Sequence, residues 1–361
     1  MTIRDDATRH RNDEPAIVTT RRRLLRTGAG LAAGAALTGS TLLARPHVAR
    51  AARKLSIAVI PKSLDNSVFY YAHYGAEKRA KELGDVDVIW TASTTSDANQ
   101  EAQVLTGLIS RHVNGMAVDA NAPQPLVGPI AQAVGQGIKV ITWDSDVPNS
   151  KRQLFYGVDS MAMGRKLAEE TVKAMGTSGT VILVSGGPGA TNLNARLKGA
   201  TDELAKYPNI KTLGPFFHDD DLVKAQRLTN NLLVSHPDAG AILMVAGVPF
   251  FGKMSALPEV IKNKGKVKII TTDVLAPELP FVKEGYVQAL VGQDYWGWGY
   301  QTVSILHNLL TNSNCHYPEL VPQNMPVVTA ANVDEWIRRW KEAATPAGAA
   351  RAFKEPPVGC M

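Results

Sequence analysis

From residue 55 to residue 310, short apolar runs alternate with amphipathic stretches, and nothing else in the chain restricts its fold as strongly. Runs at 55–60, 86–90, 115–119, 139–144, 180–185, 212–217, 241–245, 268–272 and 287–291 have the length and composition of buried parallel strands. Helical spacing predicts helices over 68–83, 97–112, 125–134, 163–175, 192–206, 222–234, 251–263, 298–310 and 333–342. In the second of these, Ala98, Ala102, Leu105 and Ile109 share one face. Strands alternating with helices at this spacing build βαβ units and doubly wound sheets. Two successive series of roughly five strands are too many for one small sheet. The expected fold class is therefore α/β, with two doubly wound parallel-sheet lobes.

Ligands of such sheets bind beyond the carboxyl ends of the strands. Those positions carry Lys62, Asp65, Asn66 and Phe69 after the first run, and Asp119 and Asn121 after the third. Trp143, Asp144 and Asp146 close the fourth. In the second half, Asn192, Asn194 and Arg196 follow the run ending at Ser185. Asp273 and Gln293 follow the last two, with Tyr295, Trp296 and Trp298 close behind. Carboxylates, amides and flat rings suit a polyhydroxylated ligand: carboxylates accept hydroxyl protons, amides donate and accept, and rings cover C–H faces. Taken singly, each residue has a plainer role. Asp65 and Asn66 suit a helix cap, Asp144 and Asp146 a turn, and Asp219 to Asp221 a helix start. His218, Trp336 and Trp340 suit packing positions. The convergence of so many such residues on strand ends favours a binding cleft.

The remaining chemistry is bounded by absence of motif and by charge. Gly186 to Gly189 lacks the Lys-Ser/Thr of a phosphate loop, and no Ser–His–acid set or zinc spacing stands out, so no cofactor is expected. The formal charge is +6, but residues 1–52 hold nine arginines and four acids, a net of +5. The body is nearly neutral and has no basic stripe for nucleic acid. Arg21, Arg22 and Arg23 precede a mildly apolar stretch and the A-x-A pattern Ala49-Arg50-Ala51. This segment resembles a twin-arginine export signal, with cleavage expected near Ala51/Ala52 and a periplasmic destination. An ordinary secretory signal would export the chain equally. Two readings stand for Cys315 and Cys360: a bridge stapling an Ala/Pro-rich tail, 344–361, to the body, or two free thiols.

The stretches 56–69, 137–146, 235–242 and 269–273, with the spacing from Asp273 to Gln293, resemble the type I periplasmic solute-binding proteins of sugar ABC importers, especially the ribose-, rhamnose- and autoinducer-binding branch. The resemblance runs over most of residues 55–342. It implies a three-segment hinge, with crossings near Val158-Asp159, near Gln293-Asp294 and near Tyr317 to Leu320. The implied lobes are 53–158 plus 294–318 and 159–293 plus 319–343. Asn66, Asp144, Asp273 and Gln293 then match contacts to sugar hydroxyls, and Phe69 matches a stacking ring. Asp146, Asn192 and Asn194 fall in stretches that grip ligand. Val68, Ala246 and Asp220 stand where the ribose binders carry, respectively, an aromatic residue, an Asn and a Phe. The implied function is capture of a small sugar, deoxy-sugar or polyol, as a monomer, for delivery to an inner-membrane permease and its ATPase. Two alternatives share the fold: a signal receptor, and a sugar-modifying enzyme using Asp144 and Asp146 as acid and base.

Overall fold

The computed structural model describes residues 54–361; the expected export signal and its expected cleavage site lie outside the described residues. The first sheet contains β1 (Leu55–Ile60), β2 (Val86–Trp90), β3 (Gly115–Val118), β4 (Lys139–Trp143), β5 (Phe155–Gly157) and, much later in the chain, β11 (Leu320–Pro322). Their order is β2-β1-β3-β4-β5-β11, and every pairing is parallel. The second sheet contains β6 (Ser178–Ser185), β7 (Asn209–Phe217), β8 (Ala241–Met244), β9 (Lys268–Thr272), β10 (Ala289–Val291) and β12 (Val327–Val328), in the order β7-β6-β8-β9-β10-β12. Only the last strand, β12, is antiparallel to its neighbour. Both sheets reverse their winding at the strand that begins each series, between β1 and β3 and between β6 and β8. Those reversals open the crevices where such sheets take ligands.

The local reasons match the sequence pattern. Every residue of β3 and β8 is buried, as expected for strands covered by helices on both faces. The helix Ala98–Ser110 starts at Asp97, whose carboxylate accepts the N–H groups of Asn99 and Gln100 at 2.8 and 3.0 Å. The helix expected over 251–263 is instead three short pieces, Val248–Phe251, Met254–Ala256 and Pro258–Lys262. Pro258 pushes Leu257 out of the helical region, and Gly252 is extended.

The hinge departs from expectation at its third passage. Leu320–Pro322 hydrogen-bonds to β5 in the first sheet, so the chain crosses to the second only between Pro322 and Val327. It does not cross near Tyr317 to Leu320. Leu320–Pro322 is three residues with one buried position and a closing proline, so no apolar run marks it as a strand. The segment 344–361 is also more than a tail. It forms the helix Pro346–Phe353, which packs on the helix Tyr70–Leu83, and ends in a Cys315–Cys360 disulfide. The preceding helix, Val333–Glu342, sits on the second lobe, where Trp340 Nε1 donates to the Val274 carbonyl at 2.6 Å.

Candidate functional site

A cavity of about 50 Å³ lies between the carboxyl ends of the two sheets. Of the strand-end residues, Lys62, Asn66, Phe69, Asp144, Asn192, Asp273 and Gln293 line it, joined by Arg196 and Trp298. Each polar one is aimed by its element. Asp144 and Asp273 follow β4 and β9 directly and adopt left-handed backbone, with φ of 53° and 73°. Asp tolerates that region better than most side chains. Their N–H groups still donate to the neighbouring strands, at the Tyr156 and Val291 carbonyls. The turn thus costs no backbone hydrogen bond while redirecting the carboxylate.

Charge at the site is shared unequally. Lys62 Nζ donates to Asp144 Oδ2 at 3.0 Å and to Asn192 Oδ1 at 3.4 Å, and lies 3.7 Å from Asp119. Burial alone would discharge this lysine, but Asp119, Asp144 and Asp220 outweigh it and hold its pKa above the ordinary value. Burial opposes ionisation of Asp144 as well. Lys62, Arg196 and the Asn192 amide overcome it, so Asp144 stays an anion. Asp119 is buried behind Lys62 without a hydrogen-bond partner on either oxygen, and burial pushes it well above the carboxylate range. Lys62 hydrogen-bonds Asp144 and only stands near Asp119, so burial prevails at Asp119 and the cations prevail at Asp144.

Arg196, a strand-end residue that the resemblance matched to no ligand contact, anchors the other lobe. Nη1 donates to the Val245 carbonyl at 3.2 Å, and Nη2 donates to Gln293 Oε1 at 3.0 Å and stands 3.6 Å from Asp144. Asp273 accepts from Tyr295 Oη at 2.9 Å and from the Gly247 N–H at 3.0 Å. A side chain at 247 would come within 2.6 Å of the Thr272 carbonyl, so glycine is needed there for the close approach. Asp220 also lines the cavity and accepts the Gly187 N–H at 3.3 Å. Of the acids expected to start the next helix, Asp221 alone caps it. The apolar wall is Phe69 and Trp298, with ring centroids 5.9 Å apart.

Four expected residues do not face the cavity. Trp143 is wholly buried behind Phe69 and Trp298 and supports their rings at 5.8 and 5.5 Å. Asp119 sits under Lys62, as described. Asp146 turns to Arg152, which donates to both of its oxygens at 2.6 Å. An acid–base pair with Asp144 would need a free carboxylate at 146, and both oxygens of Asp146 are held by this ion pair instead. Asn194 is exposed and donates to the Pro188 carbonyl at 2.8 Å. Asn66 does both jobs: its Oδ1 caps the turn at Val68 N–H, 3.1 Å away, and its side chain borders the cavity.

The buried acids near the site set a pH dependence. Glu101 accepts from the N–H and amide of Asn121, both at 2.9 Å, while its other oxygen has no partner. Burial pushes its pKa up to about 8. Between the ordinary value of 4.5 and about 8 the native state holds a proton that the unfolded chain has released. Stability therefore falls as pH rises through that window. Glu101→Gln keeps the acceptor and removes this loss. Its melting temperature relative to wild type is expected to rise by several degrees from pH 5 to pH 8.5. A difference that does not vary with pH would refute the assignment.

Among the described residues, no group of three or more His, Cys, Asp or Glu is placed to hold a metal ion. A family model described as a periplasmic binding protein domain matches residues 57–314. The D-allose-binding periplasmic protein of Escherichia coli K12 is 28% identical over 245 residues, covering 66% of this chain and 78% of that protein. A D-apiose import binding protein of Actinobacillus succinogenes is 28% identical over 215 residues, covering 59% and 67%. An ABC transporter solute binding protein from Burkholderia graminis, solved in complex with D-arabinose, superposes with a TM-score of 0.74 at 32% identity, covering 78% of this chain and 97% of that one.

Proposed function

Since this chain belongs to the periplasmic binding protein domain family, we infer that it is the sugar-binding component of an ABC importer, acting outside the cytoplasm and releasing its ligand unaltered. The family binds substrates for transporters and does not transform them. The observation that carries the reading is the cleft itself: Asp144, Asn66, Asn192, Asp273 and Gln293 beside the rings of Phe69 and Trp298, drawn from both sheets around one cavity. Acids and amides take hydroxyls; the rings cover a C–H face. Within this reading the ligand is a neutral pentose, hexose, deoxy-sugar or polyol.

Closure follows from contacts between the lobes. Asn192 Nδ2 donates to Asp144 Oδ2 at 3.1 Å, Thr191 Oγ1 donates to the Asp146 carbonyl at 2.9 Å, and the Ser145 and Thr191 hydroxyls meet at 3.1 Å. A ligand bridging the same two surfaces binds the closed form better than the open one and shifts the population toward it. The closed form is what the permease would engage. The hinge passages at 157–159, 292–294 and 323–326 bound two lobes that move as units, and the exported chain acts as a monomer after cleavage near Ala51/Ala52.

A thermal-shift panel of pentoses, hexoses and polyols on the purified chain tests this reading. At a ligand concentration of about 100 Kd, the gain is about 2.7 kcal/mol. At least one neutral sugar is expected to raise the melting temperature by several degrees. Silence across the panel, with a shift from an amino acid or nucleoside, would refute the ligand class.

A further inference from the structure

We propose that the cavity behind the hinge, walled by Asp294, Glu355 and the rings of Trp336, Trp340 and Phe353, is a second binding site that takes a small organic cation bearing an ammonium group. The cavity measures about 220 Å³. Gln293 borders both it and the sugar cleft, so one hinge segment separates the two.

The acids of this cavity lack a counterion. Asp294 spends Oδ1 on the Gly297 N–H at 2.8 Å, capping the helix Tyr295–Thr311, while Oδ2 is buried without a partner. Glu355 accepts only from the Asn324 amide, at 3.3 Å. Arg339 is the cation in the wall, yet its Nε and Nη2 both donate to the Ala352 carbonyl, at 3.2 and 2.9 Å. Its guanidinium lies over Trp336 and Phe353 at 4.5 and 5.0 Å. Among the described residues, neither Asp294 nor Glu355 forms an ion pair. Glu355 is exposed to water, so the oxygen left wanting a partner is the buried Asp294 Oδ2, with Glu355 adding negative charge at the cavity's edge.

The walls favour the same ligand. Trp340 packs edge-on against Tyr71 at 4.5 Å and beside Phe353 at 4.7 Å, and all three border the cavity. Ring faces attract an ammonium ion, most strongly when it is withdrawn from water. Trp296 also borders the cavity and adds to its aromatic wall. An apolar occupant would leave the Asp294 carboxylate unpaired in a buried place, and an anion would be repelled.

Choline is a suitable probe, with 3,3-dimethylbutan-1-ol as its uncharged isostere. Both would be titrated calorimetrically into the full chain at pH 8. There Asp294, which burial pushes up to about 7, is ionised. Saturable binding of one choline per chain is expected, with the alcohol at least about tenfold weaker. Asp294→Asn retains a good helix cap and should weaken choline by at least about tenfold. Trp336→Ala should weaken it as well, and decides the matter if Asp294→Asn disturbs the hinge. Absence of saturable choline binding, equal binding of the alcohol, or full binding by both variants would overturn the proposal.

Discussion

Asp144→Asn is expected to weaken sugar binding by roughly 30- to 700-fold, corresponding to about 2–4 kcal/mol, with the fold retained. Asp144 Oδ2 is committed to Lys62 and Asn192, whereas Oδ1 is buried with no hydrogen-bond partner and Arg196 stands 3.6 Å away. That oxygen is an acceptor already desolvated, with the Arg196 guanidinium beside it, on a residue that lines the cavity. A hydroxyl donating to it makes a charge-assisted hydrogen bond, the stronger kind. Asn preserves size and tolerates the φ of 53°. It surrenders the charge and turns an NH2 toward either Lys62 or the ligand. Asp144→Ala is a poorer test, because it leaves Lys62 and Arg196 buried with less compensation and confounds binding with stability. Asp146→Asn is the companion control. Its carboxylate is occupied by Arg152, so sugar affinity should change by less than about threefold. Calorimetric titration of the best ligand from the sugar panel measures both. A Kd for Asp144→Asn within about threefold of wild type would remove Asp144 from the binding site.

The contrast between Asp144 and Asp146 shows how far sequence reaches. The strand-end rule brought both to the right loop but could not say which way each pointed. Trp143 and Asp144 differ in the same manner: one closes the strand into the core, and the next turns left-handed into the cleft. The strands themselves were readable because two-sided burial makes them continuous apolar runs. β5, β11 and β12 were not, being two or three residues long. On the helix Thr191–Leu204 a usable signal existed. Asn192 and Arg196 are four apart and share a face, while Asn194, two further on from Asn192, points away. Both were candidates by position, and helical spacing separates Arg196 from Asn194. Asp220 gave no such signal, since three consecutive aspartates before a helix read as a dipole-stabilised start, and only one of them caps.

Removing the Cys315–Cys360 bridge with paired alanines is expected to cost about 4 kcal/mol, because the bridge spans 45 residues and loop-closure entropy rises with loop length. For a body of this size that lowers the melting temperature by roughly 6 °C. The loop so closed contains β11, β12 and the helix Val333–Glu342, hence the third hinge passage and the anchor on the second lobe. The bridged end is further held by its neighbours. Gln301 Nε2 donates to the Pro356 carbonyl at 2.9 Å, Gln301 Oε1 accepts the Val358 N–H at 2.9 Å, and the Met361 N–H reaches the His316 carbonyl at 3.0 Å. These contacts tie the tail's end to the helix Tyr295–Thr311 and to His316, while the helix Pro346–Phe353 keeps its own packing on Tyr70–Leu83. No residue beyond Trp298 lines the sugar cleft, so affinity should stay within about threefold while stability falls. The wild type melted in reductant should converge on the alanine variant, since both lack the same constraint. A variant that melts within about 1 °C of the oxidised wild type would mean that the tail is held by its packing and that the bridge adds nothing.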